Sequence, residues 1–384
     1  MNIIYVSSLI PPRLLDEQLH KGHAHYVLAP NKFHNVLVEG FIANGHNVKM
    51  ISGMPDLADC PEVMVEGDKE FRFVRQSSRP ILNYLEMAKS VSRQIKRLKD
   101  EGFEPDVMIC DILKVSLCLG ALYAARRFKI KTAAIVTDFM GIAKKEKTHK
   151  LRTAMAAWIS NNYVRHFDYY ILLTQQMNEV VNPKGRPYII MEGVCDDKPL
   201  KRATRNDGVR RLFYAGGRPS KDGVDMLIPA FKRLADPNLE LHLYGTVPGV
   251  EVGPDPEDKR IHYHGVVDNN TIVEEELKSD LLINPRPTGE LYTYYSFPSK
   301  VMEYMATGIP MVTTKLAGIP DEYFGYAYTF DSCDVDSYQR TLEHILNLSA
   351  DDLHRKGSEA QKYVLTNKNK IKQTSRIIEL IKHQ

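Results

Sequence analysis

Apolar residues recur along this chain in two alternating rhythms. Short runs rich in Val, Ile, Tyr and Phe predict strands, and the stretches between them, with apolar side chains three and four positions apart, predict helices. In the first half the strands are expected at residues 2–6, 48–51, 71–74, 107–110, 132–136, 169–173 and 188–190, and the helices at 32–43, 84–99, 115–128 and 151–166. Gly45-His46 reads as the stop of the first helix. A polar, charged stretch at 195–210 breaks the alternation, after which the pattern restarts with a strand at 211–215. Further strands are expected at 239–244, 261–264, 281–284, 311–313 and 326–329, and helices at 224–234, 271–279, 299–306 and 337–348. Strands alternating with helices give an α/β protein with parallel sheets. The break predicts two doubly wound, Rossmann-like domains, 1–195 and 196–365, and the last helix, about 366–384, is a candidate to pack back on the first. Ligands of such sheets sit at the carboxyl ends of the strands, so the active site is expected in a cleft between the domains.

Composition narrows the classes. The chain has 384 residues, of which 43% are hydrophobic and 26% charged, too apolar for a disordered protein. No apolar run reaches the roughly 18 residues of a membrane span. The start, Met1-Asn2-Ile3-Ile4-Tyr5-Val6, lacks a basic segment and reads as a strand rather than a signal peptide, so a cytoplasmic protein is expected. A net charge of +3 is too small for a dedicated nucleic-acid binder. Five cysteines without C-x-x-C spacing suggest neither a disulfide framework nor a zinc site.

Two segments could carry chemistry. The first follows the restart strand: Gly216-Gly217-Arg218-Pro219-Ser220-Lys221-Asp222-Gly223. Its glycines allow a tight turn, Arg218 and Lys221 offer cationic donors, and a helix begins just beyond, an arrangement suited to a diphosphate. A plain strand-to-helix turn with two exposed cations is the alternative. The second runs from Asn284-Pro285-Arg286 through Glu290 to Pro298-Ser299-Lys300, which opens a helix containing Glu303. Ser299 is a good N-cap; a capping box would then place its acid at Met302, which leaves Glu303 available to a ligand.

With these residues the chain resembles the retaining glycosyltransferases of family four, which have the GT-B fold. The likeness is carried by residues 214–223, by Glu303-Tyr304-Met305-Ala306-Thr307-Gly308-Ile309-Pro310 and by residues 315–323, with weaker echoes at residues 45–48 and 191–194. It implies that Arg218 and Lys221 hold the donor diphosphate and that Glu303 clasps the ribose hydroxyls. The acid eight positions before Glu303 in the family is Tyr295 here, so the sugar-facing carboxylate is either Glu290, reaching through a longer loop, or missing. The family's glycine pair after the first strand is replaced by Ser7-Ser8-Leu9-Ile10, and Lys32 and His34, at the start of the next helix, are candidates to take its place near the phosphates. Lys300 is a further candidate for the same task. Where the family often has a histidine on the acceptor side, Asp138 follows a strand; it reads equally as a turn residue.

The resemblance therefore implies transfer of a sugar from a nucleotide diphosphate sugar to an acceptor hydroxyl, with retention, in cell-surface polysaccharide or glycolipid biosynthesis. No cofactor and no metal is expected. Asp334-Val335-Asp336 reads as a helix start and His20, His23 and His25 as a loop cluster. The basic residues Lys144, Lys145, Lys147 and Lys150, followed by an apolar helical run, read either as a solvated loop or as a contact with an anionic membrane surface facing a lipid-linked acceptor. Two other readings stay open: a nucleotide-sugar epimerase of the same fold, and an inactive homologue serving as a binding subunit.

Overall fold

The computed structural model describes residues 1–15, 28–54, 62–75, 80–138, 162–216, 222–247 and 249–383. The chain forms two compact units, Met1–Val194 with Lys370–Gln384, and Cys195–Asn369.

The first unit is built on eight strands: β1 (Asn2–Ser7), β2 (Asn47–Met54), β3 (Val63–Glu66), β4 (Lys69–Arg75), β5 (Val107–Asp111), β6 (Lys131–Val136), β7 (Tyr169–Leu172) and β8 (Tyr188–Ile190). They lie in the order β3-β4-β2-β1-β5-β6-β7-β8. All pairings are parallel except β3 with β4. Ile3, Ile4, Tyr5 and Val6 are all fully buried, as expected of a central strand covered on both faces by helices. The helix Leu28–Ala43 ends at Gly45, whose φ of +77° is the left-handed conformation the Gly-His stop calls for. This helix starts a turn earlier than expected, so Lys32 lies inside it rather than at its N-terminus. The helix Lys370–Lys382 crosses it at Gly40, where a Cβ would meet the Lys370 carbonyl oxygen at 2.5 Å. Asn44 Nδ2 ties the two together by donating to the Ile371 carbonyl at 2.9 Å. Of the helix expected at 151–166, the described part is residues 162–166, with a 3-10 turn at Val164–His166.

The second unit holds seven strands: β9 (Arg210–Ala215), β10 (Leu239–Tyr244), β11 (Gly253–Pro254), β12 (Ile261–Gly265), β13 (Leu281–Asn284), β14 (Met311–Thr314) and β15 (Tyr328–Phe330). Their order is β11-β12-β10-β9-β13-β14-β15, parallel but for β11. One face, carrying Leu212, Tyr214, Leu241, Leu243 and Tyr263, packs with Leu227, Phe231, Tyr338 and Leu342 into a core. Tyr338 and Leu342 come from the helix Val335–Leu346, which Asp334 caps by accepting from the Ser337 N–H at 2.8 Å. Asp336 pairs with Arg233 at 2.6 Å, so both acids of the Asp-x-Asp run have structural partners. Among the described residues no helix is long and apolar enough to cross a membrane.

Candidate functional site

The second unit gathers its chemistry at the carboxyl ends of β9, β10 and β13. Backbones meet closely there. A Cβ on Gly245, whose φ is +114°, would sit 1.8 Å from the Gly216 carbonyl oxygen, and a Cβ on Gly223, whose φ is +80°, would sit 1.9 Å from the Pro285 carbonyl oxygen. Only glycine fits either place, because both the left-handed backbone and the contact exclude a side chain. Gly216 itself donates its N–H to the Tyr244 carbonyl at 2.9 Å.

Two adjacent residues of β9 organise what surrounds this junction. The Tyr214 hydroxyl donates to Asp222 Oδ2 at 3.1 Å, and burial with the adjacent Asp222 pushes its pKa far up, so it remains a donor. The other carboxylate oxygen of Asp222 lies 3.3 Å from Arg286 Nε. Arg286 follows β13, with its guanidinium 5.9 Å from the centre of the Tyr292 ring, and its carbonyl accepts from the Thr314 hydroxyl. No described residue accepts from its Nη1 or Nη2. One position on, the Ala215 N–H donates to the Tyr304 hydroxyl at 3.3 Å, which fixes the helix Ser299–Thr307 against the end of β9. Tyr304 is wholly buried, which raises its pKa well above that of a free tyrosine.

Ser299 is not the N-cap. Pro298 holds that position with φ −68° and ψ 113°, and no side chain caps the helix. Ser299 is exposed and becomes the first helical residue, so its hydroxyl does not close the first turn; the Val301 N–H donates to the Pro298 carbonyl at 3.0 Å, and those of Ser299 and Lys300 remain available to an anion. Lys300 is the second residue, its Nζ 6.0 Å from the centre of the Tyr304 ring, and Glu303, half-buried, lies one turn further in. Gly216, Ser299, Lys300 and Glu303 are thus brought to one strand-end region, while Gly217, Arg218 and Lys221 lie outside the described residues. Glu290 is exposed, and its carbonyl accepts from the Thr293 N–H at 2.9 Å and the Thr293 hydroxyl at 2.6 Å, opening the helical turn Tyr292–Tyr295. Arg286 is the residue the sequence reading passed over; its signal was a cation immediately after a strand in Asn284-Pro285-Arg286.

In the first unit, the His34 placement is corrected. His34 Nδ1 is 2.6 Å from the Tyr5 hydroxyl and Nε2 is 3.1 Å from Asp111 Oδ2, with both His34 and Asp111 buried. Both ring nitrogens are committed inside the core, so His34 cannot serve a phosphate. Lys32 is exposed on the same helix. Asp138 is exposed just past β6. The basic run at 144–152 and the cluster of His20, His23 and His25 lie outside the described residues.

Comparison with known proteins gives the fold. Residues 209–347 match the family described as Glycosyl transferases group 1. A search of curated protein sequences gave no match. Among solved structures, sucrose-phosphate synthase from Thermosynechococcus elongatus aligns over 100% of this chain and 99% of its own, with a TM-score of 0.69 and 14% identity. An E. coli structure described as trehalose-6-phosphate bound with UDP-2-fluoro glucose aligns over 100% and 99%, with a TM-score of 0.65 and 12% identity. HepE of Anabaena in complex with UDP aligns over 100% of both chains, with a TM-score of 0.62 and 12% identity. The chain therefore has the GT-B fold of these glycosyltransferase structures along its whole length, and the segment that matches the sequence family is the one that builds the strand-end site.

Proposed function

We propose that the protein transfers a glycosyl group from a nucleoside diphosphate sugar to an acceptor hydroxyl, with retention of configuration. The observation that carries this reading is Arg286: a guanidinium ion-paired with Asp222, at the carboxyl end of a parallel strand, whose N–H donors find no hydrogen-bond acceptor among the described residues. A planar fork of this kind suits the oxygens of a phosphate. Two of the similar solved structures hold such ligands, HepE with UDP and the E. coli structure with UDP-2-fluoro glucose, which supports a nucleoside diphosphate donor here.

In this reading Glu303 accepts from the ribose hydroxyls, Gly216 and Gly217 let the backbone approach the diphosphate, and Arg218, Lys221, Lys300 and Arg286, with the N–H groups at Ser299, hold its charge. As the bond between the anomeric carbon and the phosphate oxygen breaks, negative charge grows on the leaving oxygen, and fixed cations stabilise it. The acceptor oxygen bonds to the same face of the sugar, and its proton passes to the leaving phosphate oxygen. The nucleoside diphosphate then departs. Lys32 is proposed for the donor phosphates, Asp138 for the acceptor and Glu290 for the sugar. A glycan or lipid-linked acceptor at the cytoplasmic face of a membrane completes the proposal, consistent with a role in surface polysaccharide or glycolipid assembly.

Thermal shift against UDP and ADP tests donor binding, because a ligand that binds the folded state alone raises its stability. Product analysis then separates the readings: transfer requires the acceptor, whereas an epimerase isomerises the donor alone and an inactive subunit does neither. Glu303→Ala is expected to weaken nucleotide affinity at least about tenfold, since losing a charge-assisted hydrogen-bond pair costs about 1.5–3 kcal/mol. Unchanged affinity in titration calorimetry of a folded variant removes Glu303 from the ribose site.

A further inference from the structure

Away from the strand-end site, β10 and β12 bring three metal-ligating side chains together. His242 and His262 are register partners on adjacent parallel strands, and Glu240 stands two residues before His242 on the same face. His242 Nε2 is 3.0 Å from Glu240 Oε2, His262 Nε2 is 3.8 Å from Glu240 Oε1, and the three ligand atoms all lie within 4.8 Å of one another. We propose that Glu240, His242 and His262 bind a divalent transition-metal ion of the zinc type.

The donor set argues for that class. Two imidazoles and one carboxylate suit a borderline ion such as zinc, whereas magnesium and calcium favour oxygen ligands. Zinc–ligand bonds of about 2.0–2.1 Å hold tetrahedral donors roughly 3.3 Å apart, within the separations seen between these side chains. The side chains of Glu240 and His262 are 28% and 29% exposed and that of His242 15%, so an ion and a completing water can reach them.

Outer partners already orient the ligands. Arg211 Nε lies 3.3 Å from Glu240 Oε2, which leaves Oε1 towards His262, and Arg211 is itself held by Asp207 at 2.9 Å. His242 Nδ1 is 2.9 Å from His264 Nε2, and that ring stacks on Tyr244 with centroids 4.3 Å apart. When His242 Nδ1–H donates to His264, the Nε2 lone pair of His242 faces the carboxylate across 3.0 Å. Two acceptors then confront one another, and a cation between them satisfies both. A ligating histidine whose second nitrogen is fixed by a neighbour is the usual outer arrangement of a metal site.

The test uses the full chain titrated with zinc chloride in competition with a chromophoric chelator, and with cobalt(II) followed by visible absorption. One ion per chain is expected, and cobalt should give the intense bands of a four- or five-coordinate site. Loss of an outer-shell partner alone costs 10–100-fold in affinity, so His262→Ala and Glu240→Gln should weaken binding at least about a hundredfold and His264→Ala by about ten to a hundredfold. Both His262 and Glu240 are partly exposed, and circular dichroism confirms folding; should His262→Ala fail to fold, His262→Gln replaces it. A variant with His20, His23 and His25 all changed to alanine should keep the site. Binding that survives His262→Ala, or that vanishes with the other three histidines, overturns the proposal, as does the absence of saturable binding by the unaltered chain.

Discussion

Replacing Arg286 with alanine is expected to slow glycosyl transfer by about 10²–10³-fold, equivalent to about 2.7–4 kcal/mol of transition-state stabilisation. The expectation rests on where the cation is held. Asp222 takes one edge of the guanidinium, and Tyr214 takes the other oxygen of that carboxylate, so the fork is set in place before any ligand arrives. Charge already in position needs no reorganisation as the leaving oxygen becomes negative. Arg286→Lys should recover little, because an ammonium is a point charge that does not reproduce the planar fork. The decisive comparison is between ligands. Loss of a phosphate contact should depress turnover and nucleoside diphosphate affinity while leaving the affinity for a ribonucleoside alone nearly intact; equal losses for both would reassign Arg286 to holding the loop.

That residue also shows where sequence reading stops. Arg286 was visible as a cation after a strand, but its partner Asp222 lies on a different strand-to-helix connection, and only the sheet order brings the ends of β9 and β13 side by side. The strands themselves were far more legible. The one at Leu281–Asn284 stands where its apolar run put it, because a parallel strand buried along its whole length writes its burial directly into composition. The missed strands are the antiparallel ones. In β3, Val63 and Val65 are exposed, so the apolar residues point the opposite way from the usual rule, and β11 is only Gly253–Pro254. Ser299 was misread for a local reason: a serine before a helical run looks like a cap, but the proline before it adopts the extended conformation and the helix starts at the serine. His34 could have been read correctly. It shares one helical face with Leu37, Val38 and Phe41, which are all fully buried, and that spacing places it in the core.

The same buried histidine supports the largest stability change we expect. Asp111→Ala should destabilise the first unit by about 1–3 kcal/mol, the cost of leaving the buried groups around the carboxylate without their acceptor. Asp111 ends β5, is fully buried, and receives both His34 Nε2 at 3.1 Å and the Leu113 N–H at 3.0 Å. Burial by itself would raise its pKa, but the charge and hydrogen bond of His34, with the Leu113 N–H and the nearby Lys114, outweigh burial and hold it below the ordinary carboxylate value. A carboxyl group depressed on folding contributes stability above its unfolded pKa and loses it as pH falls through the folded one. The difference between the unaltered chain and Asp111→Ala should therefore be full at neutral pH and shrink only below about pH 4. Changing His34 to leucine in the same chain should restore part of the loss, since an apolar side chain leaves no ring nitrogen buried without a partner. Urea unfolding followed by circular dichroism at several pH values reads all three effects; a loss below about 1 kcal/mol at neutral pH would show that the pair adds little to the stability of the unit.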